Sequence, residues 1–233
     1  MQEYVMGNGA IALGALAAGV NLVAGYPGTP SSEILETISK YRHDGVYIEW
    51  SVNEKAAMEV AAAAAYSGAR AMVTMKQVGL NVAADPLMSL AYVGVKGGMV
   101  IVSADDPGPI SSQTEQDTRR FADFCRIPVF DPSSPEEAYK MIGEAFEYSE
   151  KYNTPVLFRP TTRVCHAYAS IDNCDSPSPK KYEGFVKDSK KWVIFPRLSF
   201  ANHIMIEKRN VEIGKDFSTY SANKAEGVNS EKA

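Results

Sequence analysis

The sequence "VNLVAGYPGTPSSEI", residues 20–34, joins a short apolar run to a polar, helix-like segment through a corner rich in glycine and proline. Residues 20–24 predict a buried strand, and residues 31–41 predict the helix that follows it. Thr29 fits the N-cap position and Pro30 the first helical position, where a proline loses no hydrogen bond. The amides of that first turn would favour an anionic group in the corner. A well-capped helix after a tight turn explains the same residues without a ligand. The corner therefore predicts a strand–helix unit, and whether it binds a ligand stays open.

The same alternation of strands and helices extends over most of the chain. The strands are short and almost continuously apolar, as is typical of parallel strands that helices bury on both faces. The predicted helices cover residues 7–18, 31–41, 54–68, 80–93, 113–124 and 135–152, and the predicted strands cover residues 20–24, 46–50, 70–75, 98–104, 127–130 and 155–160. This order predicts an α/β fold, a three-layer sandwich with a mostly parallel sheet of about six strands.

The periodicity fades after residue 162, and this predicts the organisation of the chain. We expect residues 1–168 to form the α/β domain. Residues 169–206 are polar and contain prolines, which is typical of a surface connector, and the apolar piece "KWVIFP" at residues 191–196 is expected to dock back onto the domain. Residues 207–233 are polar and poor in aromatic side chains, so we expect them to be disordered.

Composition excludes several functional classes for this chain of 233 residues. A net charge of −4, without any block of basic residues, disfavours binding to nucleic acid. The apolar residues 11–20 are not preceded by the basic residues that begin a signal peptide. Asn8 and Asn21 interrupt any span of the ~20 apolar residues that a membrane helix needs. The cysteines have no C-x-x-C spacing and the histidines are scattered, which predicts reduced thiols in a cytoplasmic protein and no metal site. These residues are Cys125, Cys165, Cys174, His43, His166 and His203.

A second strand–helix junction, "IEWSVNEKAAMEVAAAAAYSGAR" at residues 48–70, contains a notable acid. Asn53 fits the N-cap position, and Glu54 opens a helix so rich in alanine that neighbouring elements can approach it closely. An acid in the first turn complements the helix dipole, which is one explanation of Glu54. A carboxyl group that performs general acid–base work is the other, and the junction alone leaves both open.

Five stretches together carry a resemblance to a known family. They are "GYPGTPSSE", "EWSVNEKAAMEVAAAAAYSGAR", "TMKQVGLNVAADPLM", "DDPGPISSQTEQDTRRFADF" and "PVLFRPTTRVCH". The sequence resembles the thiamine-diphosphate-dependent 2-oxoacid:ferredoxin oxidoreductases, and within them the N-terminal, pyrimidine-binding domain of the indolepyruvate-type alpha subunit. The resemblance runs from about residue 3 to about residue 196.

The resemblance implies oxidative decarboxylation of arylpyruvates, with CoA and oxidised ferredoxin, to acyl-CoA, CO2 and reduced ferredoxin. It implies two catalytic residues that also bind the cofactor. Glu54 would hydrogen-bond N1′ of the aminopyrimidine of thiamine diphosphate, and Thr29 would contact the cofactor or the substrate. Gly25, Tyr26 and Gly28 would shape the cofactor loop, although a plain turn explains them equally well.

The resemblance also implies a substrate pocket. The alternative for each candidate residue is a solvated surface position or a surface ion pair. Three of them follow the third predicted strand, and the others lie in the motif after the fourth, where Arg119 could bind a carboxylate through two hydrogen bonds. The candidates are Lys76, Gln77, Asn81, Gln113 and Arg119, with Glu115 and Asp117 in the same motif.

The chain departs from the family pattern in what it omits. It has no Gly-Asp-Gly segment for Mg2+ and the diphosphate, and no cysteine runs for iron–sulfur clusters. The resemblance therefore implies a homo- or hetero-oligomer. A partner supplies the pyrophosphate-binding domain with its Mg2+, the iron–sulfur clusters lie elsewhere in the assembled enzyme, and ferredoxin and CoA react with that enzyme. Two other interpretations stay open: a subunit of a split thiamine-dependent decarboxylase of the sulfopyruvate type, and a non-catalytic assembly module.

Overall fold

A parallel β-sheet forms the centre of the protein in the computed structural model, which describes residues 2–42, 44–173 and 178–223. The strands of the described residues are β1 (Gln2–Met6), β2 (Leu22–Gly25), β3 (Tyr47–Trp50), β4 (Ala71–Lys76), β5 (Met99–Ala104), β6 (Val129–Phe130), β7 (Val156–Phe158) and β8 (Tyr168–Asp172). Six of them form the central sheet in the order β3-β2-β4-β5-β7-β6, with every neighbouring pair parallel. β1 and β8 form a separate antiparallel pair.

Helices cover both faces of the central sheet, as the apolar character of its strands predicts. The helices of the described residues are α1 (Gly7–Ala17), α2 (Ser32–Tyr41), α3 (Glu54–Tyr66), α4 (Gln77–Val82), α5 (Ala84–Val93), α6 (Arg119–Cys125), α7 (Pro135–Tyr152), α8 (Thr162–His166) and α9 (Pro196–Ser218). α1, α2 and α7 bury one face, where Ile11, Ile38 and Phe146 are inaccessible to solvent. α3, α4 and α5 bury the other face, around Met58 and Leu80. The expected three-layer α/β sandwich is confirmed.

The order of the strands places a crevice between β2 and β4. The chain passes from β2 to β3 on one side, and then returns past β2 to β4 on the other side. The helices that follow β2 and β4 consequently lie on opposite faces of the sheet. Ligands of open α/β sheets bind at such a switch point, beyond the carboxyl ends of the strands. The corner after β2 and the start of α3 both lie at this edge.

Two predicted helices have different bounds in the structure. The helix expected at residues 80–93 is divided into α4 and α5 at Ala83, and α4 begins earlier, at Gln77. The helix expected at residues 113–124 begins only at Arg119. The residues before Arg119 form a loop, because buried carboxylates bind their amides in a non-helical arrangement that is described below.

The part of the chain after residue 162 has more regular structure than its sequence predicts. α9 runs to Ser218, so the expected disorder from residue 207 is wrong for residues 207–218, whereas residues 224–233 lie outside the described residues. The ring of Phe217 lies 5.5 Å from that of Phe130 and 5.2 Å from that of Tyr148. Tertiary contacts with the domain thus hold a helix whose own sequence is mostly polar.

The connector also contacts the domain. β8 pairs with β1, so regular structure continues beyond residue 168, the expected end of the α/β domain. Trp192, in the apolar piece expected to dock, packs on Tyr66 of α3 with ring centroids 4.9 Å apart. Within the described ranges, neither α9 nor any shorter helix has both the length and the apolar character needed to cross a membrane.

Candidate functional site

The corner after β2 is closed by its own hydroxyl groups. Ser32 Oγ accepts a hydrogen bond from the Gly28 amide at 2.9 Å, and Ser31 Oγ donates one to the Gly28 carbonyl oxygen at 3.0 Å. α2 begins at Ser32 with Ser31 as its N-cap, and the Thr29–Pro30 peptide bond is cis. The predicted positions of Thr29 as N-cap and Pro30 as first helical residue are therefore wrong.

A buried asparagine from the first helix supports this corner. Asn8 donates its side-chain amide to the Pro30 carbonyl oxygen at 2.7 Å and to Glu33 Oε2 at 2.9 Å. Thr29 itself is exposed, and its hydroxyl makes no hydrogen bond to any described residue. Thr29 thus presents an unengaged hydroxyl at the carboxyl edge of the sheet, which is what a ligand contact requires.

Glu54 is a buried acid without a partner. The N-cap prediction for Asn53 is confirmed, because its side-chain oxygen accepts a hydrogen bond from the Ala56 amide at 2.8 Å. The Glu54 side chain is only 7% exposed, and its carboxylate makes no hydrogen bond or ion pair in the part of the chain that the structure describes. The small accessible area that remains includes both carboxylate oxygens, so a polar group from outside the described chain can reach them and supply the missing hydrogen bond.

The Glu54 carboxylate lies against a glycine of α4. A Cβ atom added at Gly79 would stand 2.5 Å from Glu54 Oε1, well inside van der Waals contact. Glycine at position 79 therefore gives the carboxylate its space. Sequence reasoning missed Gly79, since only the packing of α4 against α3 gives it a role.

Two glycines of the corner allow β4 to approach closely. A Cβ atom at Gly25 would lie 2.5 Å from Thr74 Oγ1, and one at Gly28 would lie 3.1 Å from Lys76 Cδ. Lys76 consequently covers the corner with its aliphatic chain, while its ammonium donates to Gln113 Oε1 at 3.1 Å. The predicted pocket residues Lys76 and Gln113 therefore meet each other beside the predicted cofactor loop.

The other predicted residues differ in their surroundings. Gln77 is fully buried and donates Nε2 to the Thr114 carbonyl oxygen at 2.9 Å, so it ties α4 to the loop that carries Gln113. Tyr26 is partly exposed beside the corner. Asn81 is exposed at the end of α4, with no hydrogen bond to the described residues.

Arg119 is engaged in the surface ion pair that the sequence left as its alternative. Its guanidinium donates to both carboxylate oxygens of Asp117, at 2.8 and 2.9 Å, and to Asp131 at 3.3 Å. The hydrogen bond from Arg119 lowers the pKa of Asp117. Glu115 accepts a hydrogen bond from the Gly108 amide at 3.0 Å, within the same loop.

Asp106, which sequence reasoning missed, fixes the loop that carries Gln113. Its Oδ2 atom accepts hydrogen bonds from the amides of Ile110, Ser111 and Ser112 at 2.9, 2.8 and 2.8 Å, and its Oδ1 atom accepts one from Thr162 Oγ1 at 2.8 Å. Burial acts to raise the pKa of Asp106, but these hydrogen bonds outweigh burial and hold the pKa at about 2. The only local signal was an acid placed directly after a buried strand.

Asp105 anchors the other end of the same loop. It is fully buried and accepts hydrogen bonds from the Thr118 amide at 3.0 Å and the Thr118 hydroxyl at 2.7 Å. Arg159, also buried, donates Nε to Asp105 at 2.7 Å. Asp105 thus fixes where α6 begins, and the two aspartates together hold the loop at the carboxyl end of β5.

Apolar side chains are exposed around the edge that holds Glu54. One is the last residue of β3, and the others belong to the loops and helix ends that follow the carboxyl ends of β2, β3, β4 and β5. Val52, two residues before Glu54, is 83% exposed. The rim, as we call these residues, consists of Tyr26, Trp50, Val52, Val82 and Ile110. Exposed apolar side chains grouped in this way are typical of an interaction surface.

The two cysteines that the structure describes have no feature of reactive or metal-binding thiols. Cys125 and Cys165 are buried and unpaired, and burial raises the pKa of each, that of Cys125 to about 12. Both are therefore neutral thiols near pH 7. Among the described residues, no group of three or more His, Cys, Asp or Glu side chains could hold a metal ion. His43 and Cys174 lie outside the described residues.

Comparison with known proteins relates this site to a family. Residues 13–224 match the family described as pyruvate flavodoxin/ferredoxin oxidoreductase, thiamine diphosphate-binding. The chain is 43% identical over 229 residues to the indolepyruvate oxidoreductase subunit IorA of Pyrococcus horikoshii, covering 96% of this chain and 35% of that protein. It is 49% identical over 175 residues to IorA of Archaeoglobus fulgidus, covering 72% of this chain and 28% of that protein.

A second group of relatives is less similar. The 2-oxoglutarate synthase subunit KorA of Methanocaldococcus jannaschii is 30% identical over 224 residues, covering 91% of this chain and 60% of that protein. A solved structure of 2-oxoglutarate:ferredoxin oxidoreductase from Magnetococcus marinus, with 2-oxoglutarate, coenzyme A and succinyl-CoA bound, aligns with a TM-score of 0.73 and 17% identity over 97% of this chain and 47% of that chain. This likeness supports the fold. The present chain spans about a third of the length of the IorA relatives.

Proposed function

The chain belongs to the pyruvate flavodoxin/ferredoxin oxidoreductase, thiamine-diphosphate-binding family, and from this premise we propose that it forms the pyrimidine side of a thiamine-diphosphate site in a 2-oxoacid:ferredoxin oxidoreductase. One observation carries the proposal. Glu54 keeps a buried carboxylate at the switch point of the sheet, without a partner among the described residues and with glycine at position 79 to give it space. A ring nitrogen that shares a proton with this carboxylate would supply the missing partner.

The residues around Glu54 fit the aminopyrimidine end of the cofactor. When bound, thiamine diphosphate supplies the carbon nucleophile and the electron sink for decarboxylation. Glu54 would hold the proton shared with the ring nitrogen N1′, while the Thr29 hydroxyl would orient the cofactor or the substrate. Gly25, Tyr26 and Gly28 would form the wall between these two residues. Lys76, which has no acidic partner within the described chain, would place a positive charge on the substrate side with Gln113.

The chain does not fit the diphosphate end of the cofactor. Its sequence has no Gly-Asp-Gly segment, and its described residues include no cluster of metal ligands. We assign Mg2+ and the diphosphate to a pyrophosphate-binding domain that packs on the rim around Glu54. The exposed apolar side chains of the rim support this interface, because a partner would remove them from water.

We assign the reaction class from the more similar relatives. The proposed reaction converts an arylpyruvate of the indolepyruvate type and CoA into an aryl-acyl-CoA and CO2, releasing one proton and passing one electron to each of two oxidised ferredoxins. The higher identity to IorA than to KorA supports an arylpyruvate rather than 2-oxoglutarate. Iron–sulfur clusters for the electron transfer belong to the other subunits of an oligomer. The unpaired cysteines support a cytoplasmic location.

The test is reconstitution with a pyrophosphate-binding subunit of the family. The mixture is supplied with thiamine diphosphate, Mg2+, CoA and indolepyruvate, and reduction of ferredoxin or methyl viologen is measured. Glu54→Gln should lower kcat by roughly 100-fold or more, as expected for loss of a general acid–base group. Glu59→Gln, an exposed glutamate on the same helix, should retain activity and is the matched control.

Product analysis distinguishes the proposed reaction from its alternatives. Formation of acyl-CoA together with a reduced acceptor supports an oxidoreductase. Formation of an aldehyde without a need for CoA or an acceptor would instead show a decarboxylase of the sulfopyruvate type. If the reconstituted complex forms but Glu54→Gln retains full activity, the catalytic assignment of Glu54 is wrong.

A further inference from the structure

A separate cavity of about 510 Å3 lies at the opposite edge of the sheet from Glu54. α9 crosses there over the carboxyl ends of α5 and α7, which lead into the amino ends of β5 and β7. The volume falls in the range of small-molecule sites, about 300–1,000 Å3. The lining combines cationic, amide and apolar side chains, and none of the proposed catalytic residues contributes to it.

Arg209 of α9 lines this cavity and has two unpaired donors. Its Nε and Nη2 atoms are shielded from solvent and make no hydrogen bond to any described residue. Burial lowers the pKa of Arg209 to about 10. The hydrogens of Nε and Nη2 lie on one edge of the guanidinium, and that edge binds two oxygens of a carboxylate or phosphate in parallel. A buried cation with both of these donors unpaired is costly unless an anion joins it.

The remaining charges of the lining leave the cavity positive. Lys190 and Lys191 form no ion pair within the described chain, although the Asp188 carboxylate interacts electrostatically with Lys191, and the Lys191 ammonium lies 4.6 Å from the ring centre of Trp192. The carboxylate of Glu212, which also lines the cavity, accepts a hydrogen bond from Lys215 at 2.8 Å. Three cations of the lining are therefore available to an anion.

An apolar wall faces these cations. Tyr92 and Val93 at the end of α5, together with Met205 and Ile206 of α9, supply it. An inorganic anion would leave this surface uncovered, whereas an anion with an organic portion would cover it and gain from removing both apolar surfaces from water.

We propose that this cavity binds a small organic anion that carries a phosphate group. Arg209 turns its Nε–Nη2 edge towards the cavity and donates to two phosphate oxygens, and Lys190 and Lys191 neutralise the remaining charge. The turn uses only the torsions of the long arginine side chain. The organic portion lies against Tyr92 and Ile206. This site is independent of the reaction proposed at Glu54.

The test uses the full chain and two probes, inorganic phosphate and phenyl phosphate, with sodium chloride at equal ionic strength as the reference. Calorimetry measures affinity, and the NMR signal of the Arg209 Nε–H group reports on the contact itself. Phenyl phosphate should bind more tightly than phosphate and shift this signal. Arg209→Gln should weaken binding about tenfold or more, the loss expected for a charge-assisted bidentate contact. Lys208→Gln, the same charge change at the exposed neighbouring position, should leave affinity within about twofold.

A second variant covers the case in which Arg209→Gln does not fold. Lys190→Gln combined with Lys191→Gln removes two lining cations from a connector and should also weaken phenyl phosphate about tenfold. The proposal is overturned if neither probe binds at millimolar concentration. It is equally overturned if the wild type, Lys208→Gln and the cavity variants bind alike, because the anion then binds elsewhere.

Discussion

Glu54 and Asp106 are two buried carboxylates at the same edge of one sheet, and they have opposite surroundings. Asp106 accepts four hydrogen bonds, three of them from successive backbone amides. Glu54 accepts none from the described residues, although it is 7% exposed. The described chain thus satisfies the Asp106 carboxylate by itself and leaves the Glu54 carboxylate without a partner. Asp106 therefore has a positioning role for the loop that carries Gln113, whereas the role that we propose for Glu54 is a functional one.

Removing the Asp106 carboxylate should give the largest loss of stability. Asp106→Ala leaves the amides of Ile110, Ser111 and Ser112 without the charged acceptor that fixes their loop, and we expect a loss of about 3 kcal/mol in the free energy of unfolding. Asp106→Asn should lose about half as much, because one amide oxygen can still accept from the three N–H groups while Thr162 Oγ1 accepts from the new NH2 group. Urea denaturation measures both. Equal losses in the two variants would contradict the role of the oxygen.

A methyl group at position 79, which would fill the space next to the Glu54 carboxylate, should give the next largest loss of stability. The Cβ atom of Gly79→Ala would stand 2.5 Å from Glu54 Oε1, so we expect a loss of about 1–3 kcal/mol in unfolding free energy and a fall in reconstituted activity. Gly143→Ala in α7 is the control, because its nearest neighbour is 3.9 Å away, and it should stabilise the helix by up to about 1 kcal/mol.

A double variant tests whether the Glu54 carboxylate causes the loss of stability in Gly79→Ala. Gly79→Ala together with Glu54→Ala removes the carboxylate that the new methyl group meets. Stability should then recover relative to Gly79→Ala alone, although activity should not. If stability does not recover, the cost of Gly79→Ala arises from another contact of α4, and Gly79 has no specific relation to Glu54.

Lowering the pH should reduce the unfolding free energy of the wild type more than that of Asp106→Asn, and this difference should be smaller than the effects above. The pKa of Asp106 in the folded chain, about 2, lies below the value of about 3.9 for an unfolded chain, so its contribution is complete above about pH 4 and is lost as the pH falls towards 2. Within that window the wild type should lose stability more steeply, by at most about 1.4 kcal/mol per pH unit for one proton. Urea midpoints between pH 4 and pH 2 measure the slopes, and identical slopes would show that Asp106 does not titrate there.

Replacing the Glu54 carboxylate should have the smallest effect on the isolated chain. Glu54→Gln breaks no hydrogen bond among the described residues, so the unfolding free energy should stay within about 1 kcal/mol of the wild type or rise. The same change at Asp106 should be destabilising, which makes the two amide variants a direct test of the comparison. A large loss in Glu54→Gln would show that the acid is a structural group.

The sequence predicted well those features that depend on short stretches of chain. Strand runs, the N-cap at Asn53 and the position of Glu54 at the start of α3 follow from periodicity and local hydrogen bonding. The α/β architecture follows in turn, because apolar strands alternating with helices can be buried in few other ways. The family resemblance rested on the same local motifs, and the match over residues 13–224 confirms it.

Features that depend on distant partners were predicted wrongly or not at all. Thr29 is a reasonable N-cap locally, yet the corner is fixed by Asn8 of another helix, 22 residues away from Pro30. Residues 113–118 favour a helix locally, but Asp106 binds the amides of residues 110–112 just before them, and Asp105 binds the amide of Thr118. α9 has a polar sequence, and its helix is held by contacts such as that of Phe217 with Phe130.

The amino-acid sequence alone was enough to predict the six strands of the central sheet, the family, and the acid at the start of α3, because these depend on neighbours a few residues apart. Only the tertiary structure decided that Glu54 is buried without a partner, that Asp106 is fully hydrogen-bonded, and that Gly79 leaves space for the Glu54 carboxylate. The physical reason is that the cost of a buried polar group depends on which groups packing brings within hydrogen-bonding distance.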